Sequence, residues 1–259
     1  MTYAFADQVF VLARRSVVRT VRQPANVIFP LVFPLLLLAV NAGGLDSATS
    51  LPGFPTNSFV AFALAVPFIQ GALFATMNAG TDLARDIQTG FLNRLSLTPM
   101  RGIAVLAGQL GGVVAMGGVQ AIVYLSVGLA VGVHFASGPL GVLVLLLFSV
   151  LISIGFGAFG AFAALRTGSG EAVQGIFPVF FVFLFLSSIN LPRNLIETTW
   201  FRDVATVNPV SYLIECVRSL IITGWDVEAL ALGFGIAAAI SVVSLTLAGL
   251  ALRTRLTRS

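Results

Sequence analysis

Charged residues are scarce in this sequence and absent from one long stretch of it. Only 9% of the 259 residues are charged, and residues 102–165 contain no Asp, Glu, Lys or Arg. At 1.5 Å per helical residue this stretch is about 100 Å long, enough to cross a hydrocarbon core of ~30 Å twice with a turn between. Because a helix of a soluble domain shows a charged face to water, the stretch excludes a soluble fold and predicts membrane-spanning helices.

Lysine, histidine and cysteine are missing or nearly so. All 14 basic residues are Arg. A P-loop needs a lysine on the nucleotide phosphates, so we expect any ATP chemistry to take place on another chain. The single His134 has no Cys or carboxylate cluster beside it, which argues against a metal site and a Ser-His-Asp triad. The single Cys216 excludes an internal disulfide. We predict no catalytic residue and no metal.

What the sequence does contain is apolar. It is 58% hydrophobic with a mean hydropathy of +1.01, typical of a polytopic helical membrane protein. The apolar runs are continuous, which excludes the alternating strands of an outer-membrane barrel. The arginines stand at the ends of these runs, which argues against a nucleic-acid partner. We predict one all-α transmembrane domain over residues 1–259.

Six apolar segments predict six transmembrane helices. They cover about 25–42, 57–80, 103–132, 140–165, 172–190 and 228–252. With this assignment, all of the 14 arginines except Arg193, Arg202 and Arg218 lie on one side of the membrane. The positive-inside rule then places both termini in the cytoplasm.

Residues 1–24 precede the first span, and 5–22 of them predict an amphipathic interface helix. One side of that helix is apolar and the other polar: Phe10, Ala13, Val17 and Val21 against Gln8, Arg15, Arg19 and Arg22. A cleaved signal peptide ending near Ala42 is the alternative, and the five further spans favour a retained helix. Within the spans, small-residue motifs such as Gly108-x-x-x-Gly112 predict close packing inside one chain rather than a dimer face.

Two charged segments are longer than turns. In the segment 81–101, residues 87–97 predict a short helix with Ile87, Phe91 and Leu95 on one face, ended by Thr98-Pro99. Such a helix either docks on a partner or lies flat on lipid headgroups, and physics alone leaves the two about even.

The segment 190–227 lies outside the membrane in this topology. Its apolar part, from Val210 to Ile222, is too short to span and suits a re-entrant or interfacial helix. Glu215 and Arg218 stand three residues apart and predict an ion pair, either at the mouth of a pathway or merely on the surface.

The layout resembles the permease subunits of type-2 ATP-binding-cassette exporters, the group that includes daunorubicin-resistance-type efflux permeases. Two motifs carry the resemblance: Asp86-x-x-x-Gly90-x-x-x-Arg94-Leu95-x-x-Thr98-Pro99, and Asn208-Pro209-x-x-Tyr212-x-x-Glu215-x-x-Arg218. Their order between the spans also fits. Members often have a Glu-rich approach to the motif glycine, where this chain has Asp82, Arg85 and Asp86.

The resemblance implies a transport subunit that is not itself an enzyme. It implies a cytoplasmic coupling helix formed by Asp86, Ile87, Gly90, Phe91, Arg94, Leu95, Thr98 and Pro99. It also implies external gate helices carrying Asn208, Pro209, Tyr212, Glu215 and Arg218. The expected assembly has two permease subunits, as a homodimer or heterodimer, and two ATPase subunits that hold ATP and magnesium. We expect it in a bacterial inner membrane.

The leading hypothesis is therefore an ATP-driven exporter of an amphiphile: a drug, a lipid or a lipid-linked glycan. Its pathway would run between the first, second and fifth spans, with Gln70, Asn78, Gln174 and Asn190 as polar candidates. Each of these is equally explained by a helix–helix hydrogen bond. The alternative is an ion-coupled secondary transporter, which usually keeps charged residues at mid-membrane depth, and none is found there.

Overall fold

Helices make up every regular element of the part of the chain that the structure describes. The computed structural model describes residues 5–96, 100 and 102–256. Its α-helices are α1 Phe5–Val21, α2 Pro24–Leu45, α3 Phe59–Ala63, α4 Ala65–Gln88, α5 Phe91–Ser96, α6 Gly102–Ala130, α7 Gly138–Thr167, α8 Gly170–Phe185, α9 Thr199–Val207, α10 Pro209–Arg218 and α11 Val227–Leu256. A π-helical turn, Ser219–Thr223, follows α10. The all-α prediction is confirmed.

Five helical stretches of the described chain are long and apolar enough to cross a membrane. They are Pro24–Ser50, Phe59–Gln88, Gly102–Ala130, Gly138–Thr167 and Val227–Arg255. The chain is therefore an all-α polytopic membrane protein, as predicted. The segment 172–190 contains α8, whose 16 residues reach only about 24 Å of a ~30 Å core. The count of six spans stays a prediction.

The stretch Phe59–Gln88 is the central helix of the bundle. In its most apolar 18 residues 94% are buried, against 17% for Pro24–Ser50. Its main neighbour is α7, which approaches closely because Gly160 has no side chain: a Cβ there would overlap the carbonyl of Thr76. The Thr76 hydroxyl donates to the carbonyl of Phe156 at 3.0 Å. Small residues thus bring the two backbones together, as the sequence predicts.

Two prolines inside α2 explain two of its contacts. Because Pro34 has no N–H, the carbonyl of Pro30 lacks its partner in the helix, and the Tyr124 hydroxyl donates to it at 2.6 Å. In the same way Pro30 leaves the carbonyl of Asn26 free, and the Asn78 amide donates to it at 3.1 Å. Side chains of α6 and α4 therefore satisfy carbonyls that would otherwise be unpaired in the membrane.

Helix α1 lies where the interface helix was predicted, but its polar side faces the protein. Gln8, Leu12 and Ser16 are buried, while Phe10 and Val21 are exposed. The glycines of the Gly108-x-x-x-Gly112 motif lie against α1, where added Cβ atoms would meet Leu12 and Ser16. The motif therefore packs within the chain, as predicted, and the apolar side of α1 is left to face lipid.

The ends of several helices meet at one end of the bundle, which we call the arginine-rich end. The Gln88 side chain donates to the carbonyl of Gly168 at 3.3 Å, and Arg255 donates to that of Leu165 at 2.8 Å. Helix α5 lies at this same end against the end of α4, and α1, which packs mainly on α6, reaches the end of α4 through Arg15 and Arg19. Helices α9 and α10 lie at the opposite end, where the Arg218 guanidinium contacts Phe62.

Candidate functional site

The segment predicted as one helix over 87–97 is two elements in the structure. Helix α4 continues through Ile87 to Gln88, a turn follows at Thr89 and Gly90, and α5 begins at Phe91. Gly90 has φ +69°, a left-handed conformation that ends helices and favours glycine. The prediction that Ile87 shares a helix with Phe91 and Leu95 is wrong for this reason. Thr98 and Pro99 lie outside the described residues.

Helix α5 is held against the bundle by an apolar contact and a cation–π contact. Leu92 is buried in the apolar cluster that contains Leu83 and Leu106. The Arg15 guanidinium carbon lies 3.8 Å from the centre of the Phe91 ring, within the range of a cation–π contact. On the other side, Arg94 is exposed, and no atom of the described residues, apart from the chain neighbours of Gly90, lies within 4 Å of a Cβ added at Gly90. The turn and helix thus present an open polar surface on a fixed support.

Two arginines of α1 bind two aspartates of α4, a group that we call the α1 clamp. Arg15 donates from both terminal nitrogens to the Asp86 carboxylate, at 2.8 and 3.0 Å. Arg19 donates to the same carboxylate at 2.8 Å and to the Asp82 carboxylate at 3.0 Å. Arg15 and Arg19 are four residues apart on α1, and Asp82 and Asp86 are four residues apart on α4. Residues at this spacing lie on one face of a helix, so the two arginines can face the two aspartates.

The α1 clamp is shielded from water on its acidic side. The Asp86 side chain is 5% exposed, although that of Arg15 is 35% exposed. The hydrogen bond to Asp86 raises the pKa of Arg15 above its ordinary value, although partial burial opposes this. Since Arg15 also contacts Phe91, the clamp joins α1, the end of α4 and the start of α5 into one block.

At the opposite end, Asn208 and Pro209 form the start of α10. The Asn208 side-chain oxygen accepts from the Val210 N–H at 2.9 Å, which is a helix N-cap, and Pro209 takes the first helical position. The Asn208 amide donates to the carbonyls of Phe183 and Leu186 at 2.6 and 3.0 Å. This residue therefore fastens α10 to the end of α8.

The ion pair predicted between Glu215 and Arg218 is wrong, because Glu215 has a different partner. Its carboxylate pairs with Arg193, at the start of a 3-10 turn, and accepts from the Ser188 hydroxyl at 3.1 Å. The Arg193 guanidinium carbon also lies 4.5 Å from the centre of the Tyr212 ring. Arg193, which is 22 residues away from Glu215 in the sequence, is therefore its partner in place of Arg218, which is three positions along the helix.

Arg218 binds backbone carbonyls instead of a carboxylate. Its guanidinium donates to the carbonyl of Phe62 at 3.0 Å and to those of Ser188 and Ile189, and its carbon lies 3.4 Å from the centre of the Phe62 ring. Burial lowers the pKa of Arg218 to about 9, and the charge of Glu215 opposes this change. The group therefore stays charged at neutral pH and joins three separate segments at this end.

A crevice of about 370 Å³ opens beside Arg218. Arg193, Glu215 and Asp226 line it together with Phe62, so it combines both signs of charge with an aromatic ring. We call Arg193, Tyr212, Glu215 and Arg218, with the Ser188 side chain, the α10 cluster. Three of the five predicted gate residues, Tyr212, Glu215 and Arg218, thus lie in one cluster, with Arg193 and Ser188 as partners that the motif did not contain, whereas Asn208 and Pro209 lie at the start of α10.

The four pathway candidates are not brought together. Gln70 is buried, and its buried Oε1 has no hydrogen-bond partner among the described residues. Asn78 makes the helix–helix bond to α2, whereas Gln174 and Asn190 are exposed. Within the described ranges no hydrogen bond joins any two of them. Their role in a pathway stays a prediction.

Sequence reasoning missed the partners of both sites. The pairs Arg15/Arg19 and Asp82/Asp86 have the same spacing of four residues and opposite charge, which is a usable signal for two facing helices. No comparable signal points to Arg193 or Ser188, whose positions depend on how an irregular segment folds. In the described part of the chain, no three His, Cys, Asp or Glu residues lie close enough to hold a metal ion.

The fold and these two sites define a class: a multi-pass helical membrane protein with the short helix α5 at one end of the bundle and the short helices α9 and α10 at the other. The family model described as "ABC-2 type transporter" matches residues 7–222. The chain therefore belongs to the ABC-2 type transporter family, and the predicted resemblance is confirmed. The match includes the α1 clamp and the α10 cluster and stops before α11.

Three proteins of similar sequence carry names that describe transport permeases. The daunorubicin resistance ABC transporter permease protein DrrB1 of Streptomyces coeruleorubidus is 30% identical over 198 residues, 75% of this chain and 66% of that protein. A Mycobacterium tuberculosis protein named as the doxorubicin resistance ABC transporter permease DrrC is 25% identical over 224 residues, 85% and 79% of the two chains. A Cyanophora paradoxa protein named as the transport permease ycf38 is 24% identical over 221 residues, 85% and 76%.

Proposed function

We propose that this chain is the membrane subunit of an ATP-driven exporter of a lipophilic or amphiphilic substrate, such as a drug, a lipid or a lipid-linked glycan. Two permease subunits, identical or related, work with two copies of a separate ATPase subunit that holds ATP and magnesium. The family and the names of the relatives support the export of amphiphiles. The apolar, largely uncharged spans suit a lipophilic cargo.

The observation that carries this proposal is the supported surface at Gly90 and α5. A docking element must resist the force of its partner, and α5 is held by buried Leu92 and by Arg15 on Phe91. Its outer side carries exposed Arg94 beside the open turn at Gly90. A helix lying flat on headgroups would instead turn an apolar side outward.

The proposed setting is a bacterial inner membrane with both termini in the cytoplasm. The convergence of Arg15, Arg19, Arg85 and Arg255 at one end of the bundle supports this orientation, since cytoplasmic ends are rich in arginine. The ATPase then binds at the arginine-rich end, and the α10 cluster lies on the external side. The pathway would pass along α2 and α8 between the two subunits, whereas α4, predicted beside them, is buried within its own subunit.

Co-purification of the ATPase with charge variants of α5 tests the proposal. Arg94→Glu reverses an exposed charge, and Arg202→Glu is the matched control on exposed α9 at the other end. We expect Arg94→Glu to reduce ATPase recovery at least tenfold, because a reversed charge against an acidic partner surface costs more than the ~1.4 kcal/mol of a tenfold change in affinity, and Arg202→Glu to leave it unchanged. Full recovery, with unchanged substrate-stimulated hydrolysis, would contradict the coupling role of α5.

Gly90 needs its own pair of variants because its backbone has a left-handed conformation. Any residue with a Cβ is disfavoured at φ +69°, but Asn tolerates this conformation far better than Val does. If the glycine is needed only for the turn, Gly90→Asn keeps the ATPase and Gly90→Val loses it. If a partner backbone approaches Gly90 closely, both variants lose it.

A further inference from the structure

An apolar groove opens between α6 and α11 on the outside of the bundle. Both helices pack on α7, but they contact each other much less, so a space of about 1120 Å³ remains between them. Ile154 of α7 lies at this groove, and leucines of the two helices line it. Its surroundings face the membrane, since only 22% of the most apolar 18 residues of Val227–Arg255 are buried.

The groove has the depth of one leaflet. On α6 it extends from Gly102 to Val114, which is about 18 Å at 1.5 Å per residue, close to half of a ~30 Å hydrocarbon core. A transmembrane helix of a partner would cross the whole core, so it does not match this depth. One acyl chain of a lipid in one leaflet does.

The groove also has a charged end. Arg253 belongs to its lining, at the arginine-rich end where α11 terminates, and its side chain is exposed. The headgroup of a lipid whose chain enters the groove would lie at this level of the membrane. An anionic headgroup is then favoured, because each arginine near the surface contributes about 1 kcal/mol toward anionic lipid.

We propose that this groove binds an acyl chain of an anionic phospholipid, with its headgroup at Arg253. Gly249 supports the proposal, since a Cβ at this groove position meets no atom of another described element within 4 Å and the space in front of it is open. The site does not depend on the proposed transport function. Only the assignment to the cytoplasmic leaflet rests on the proposed orientation.

Fluorescence quenching of the purified full chain in detergent tests the proposal. Trp200 and Trp225, both at the other end, are first replaced by Phe, and Leu250→Trp places a reporter on the groove. The probe is phosphatidylglycerol with brominated acyl chains, compared with phosphatidylcholine that has the same chains. We expect saturable quenching, with half-saturation at about fivefold less phosphatidylglycerol than phosphatidylcholine.

Matched variants locate the binding. Gly249→Leu fills the groove and should abolish saturable quenching, whereas Gly235→Leu, on the same helix and equally open, should not. Arg253→Gln should remove the preference for phosphatidylglycerol, and Arg202→Gln at the other end should keep it. Helical circular dichroism and size-exclusion profiles check that each variant is folded. Because no ATPase is present, the outcome is independent of the proposed coupling.

Three outcomes would overturn the proposal. The first is quenching that rises in proportion to lipid without saturation. The second is equal half-saturation by the two lipids. The third is a response to Gly249→Leu that does not differ from the response to Gly235→Leu. A membrane polypeptide that is recovered with the purified chain, occupies the groove and is not displaced by lipid would also overturn it.

Discussion

The guanidinium of Arg15 donates two hydrogen bonds, of 2.8 and 3.0 Å, to the carboxylate of Asp86, which lies 71 residues away in the chain. This pair connects the interface helix to the last turn of the central helix. Through Phe91 the same arginine also contacts α5. A movement of the proposed docking surface would therefore be transmitted to α1 and to the membrane interface, rather than only along α4.

Removing the charge of Asp86 tests the strength of this connection. Asp86→Asn leaves Arg15 and Arg19 without their shared carboxylate. We expect a loss of about 2 kcal/mol in unfolding free energy, less than for a fully buried pair because Arg15 is partly exposed. Asp7→Asn, an exposed aspartate of α1, is the control and should change stability by less than ~0.5 kcal/mol. Unfolding in mixed detergent micelles measures both, and equal effects would show that the clamp contributes no stability.

Charge exchange identifies the partner of Glu215. Arg193→Glu combined with Glu215→Arg restores an ion pair, so we expect the double variant to recover more than half of the stability lost by Glu215→Arg alone. Exchange between Glu215 and Arg218 should recover none, because Arg218 binds carbonyls. Midpoints of thermal unfolding in detergent compare the two. Recovery by the second exchange alone would argue for the pairing predicted by sequence.

Arg218→Gln should be more damaging than loss of the ion pair. It leaves carbonyls of Phe62, Ser188 and Ile189 without their donor, and we expect a cost of about 3 kcal/mol for these buried acceptors. Arg202→Gln, exposed on α9, is the control. The yield of folded protein and its protease resistance measure the difference. Near-native resistance of Arg218→Gln would mean that water replaces the guanidinium at little cost.

We expect the hydroxyl of Tyr124 to contribute to stability because Pro34 has no N–H to donate to the carbonyl of Pro30. Tyr124→Phe should cost about 1–2 kcal/mol, since the carbonyl of Pro30 loses its donor. With Pro34→Ala the helix itself supplies an N–H, so the same Tyr124→Phe change should cost about 1 kcal/mol less. A double-mutant cycle measures the unfolding free energy in micelles of the two single variants and the double variant. It separates the coupling between Tyr124 and Pro34 from the effect that Pro34→Ala has on packing by itself. A coupling near zero would contradict the proline explanation.

Cysteine labelling tests the proposed orientation. In a Cys216→Ala background, cysteines at Ser47 and Thr199 should react with an impermeant maleimide added to intact cells, whereas cysteines at Thr89 and Thr254 should not. All four positions are exposed at helix ends or turns, so differences in labelling report the side of the membrane rather than burial. Labelling of Thr89→Cys from outside would overturn the orientation and the coupling role of α5 together.

The coupling segment shows how far local pattern reaches. The apolar spacing of Phe91 and Leu95 was enough to predict a short helix, but Gly90 was placed inside that helix, as a residue of the motif that carries the resemblance. The pattern did not show that Ile87 belongs to α4, because a helical spacing runs unbroken across the turn. The positive φ of Gly90 breaks the helix, and a glycine in a sequence does not by itself declare its φ.

The α10 cluster shows the opposite case. Asn208-Pro209 is a strong local signal for the start of a helix, and α10 begins there. The partner of Glu215 was predicted wrongly, because the choice between Arg193 and Arg218 depends on how the chain between Arg193 and Glu215, which are 22 positions apart with α9 between them, folds back on α10. An i, i+3 pair is always within reach on a helix, yet its energy is small, and a better-placed distant charge replaces it.

The sequence by itself determined the class of this protein and the approximate positions of its long helices, although α4 continues to Gln88, beyond the predicted segment 57–80. A hydrocarbon core demands apolar runs of a set length with charges outside them, and that demand is local and can be read residue by residue. Only the tertiary structure decided that Arg15 and Arg19 bind Asp82 and Asp86, that Tyr124 serves the carbonyl beside Pro34, and that Arg218 binds three carbonyls. Each of these depends on which helix lies against which, and that arrangement follows from side-chain packing and close backbone approach between residues far apart in the chain.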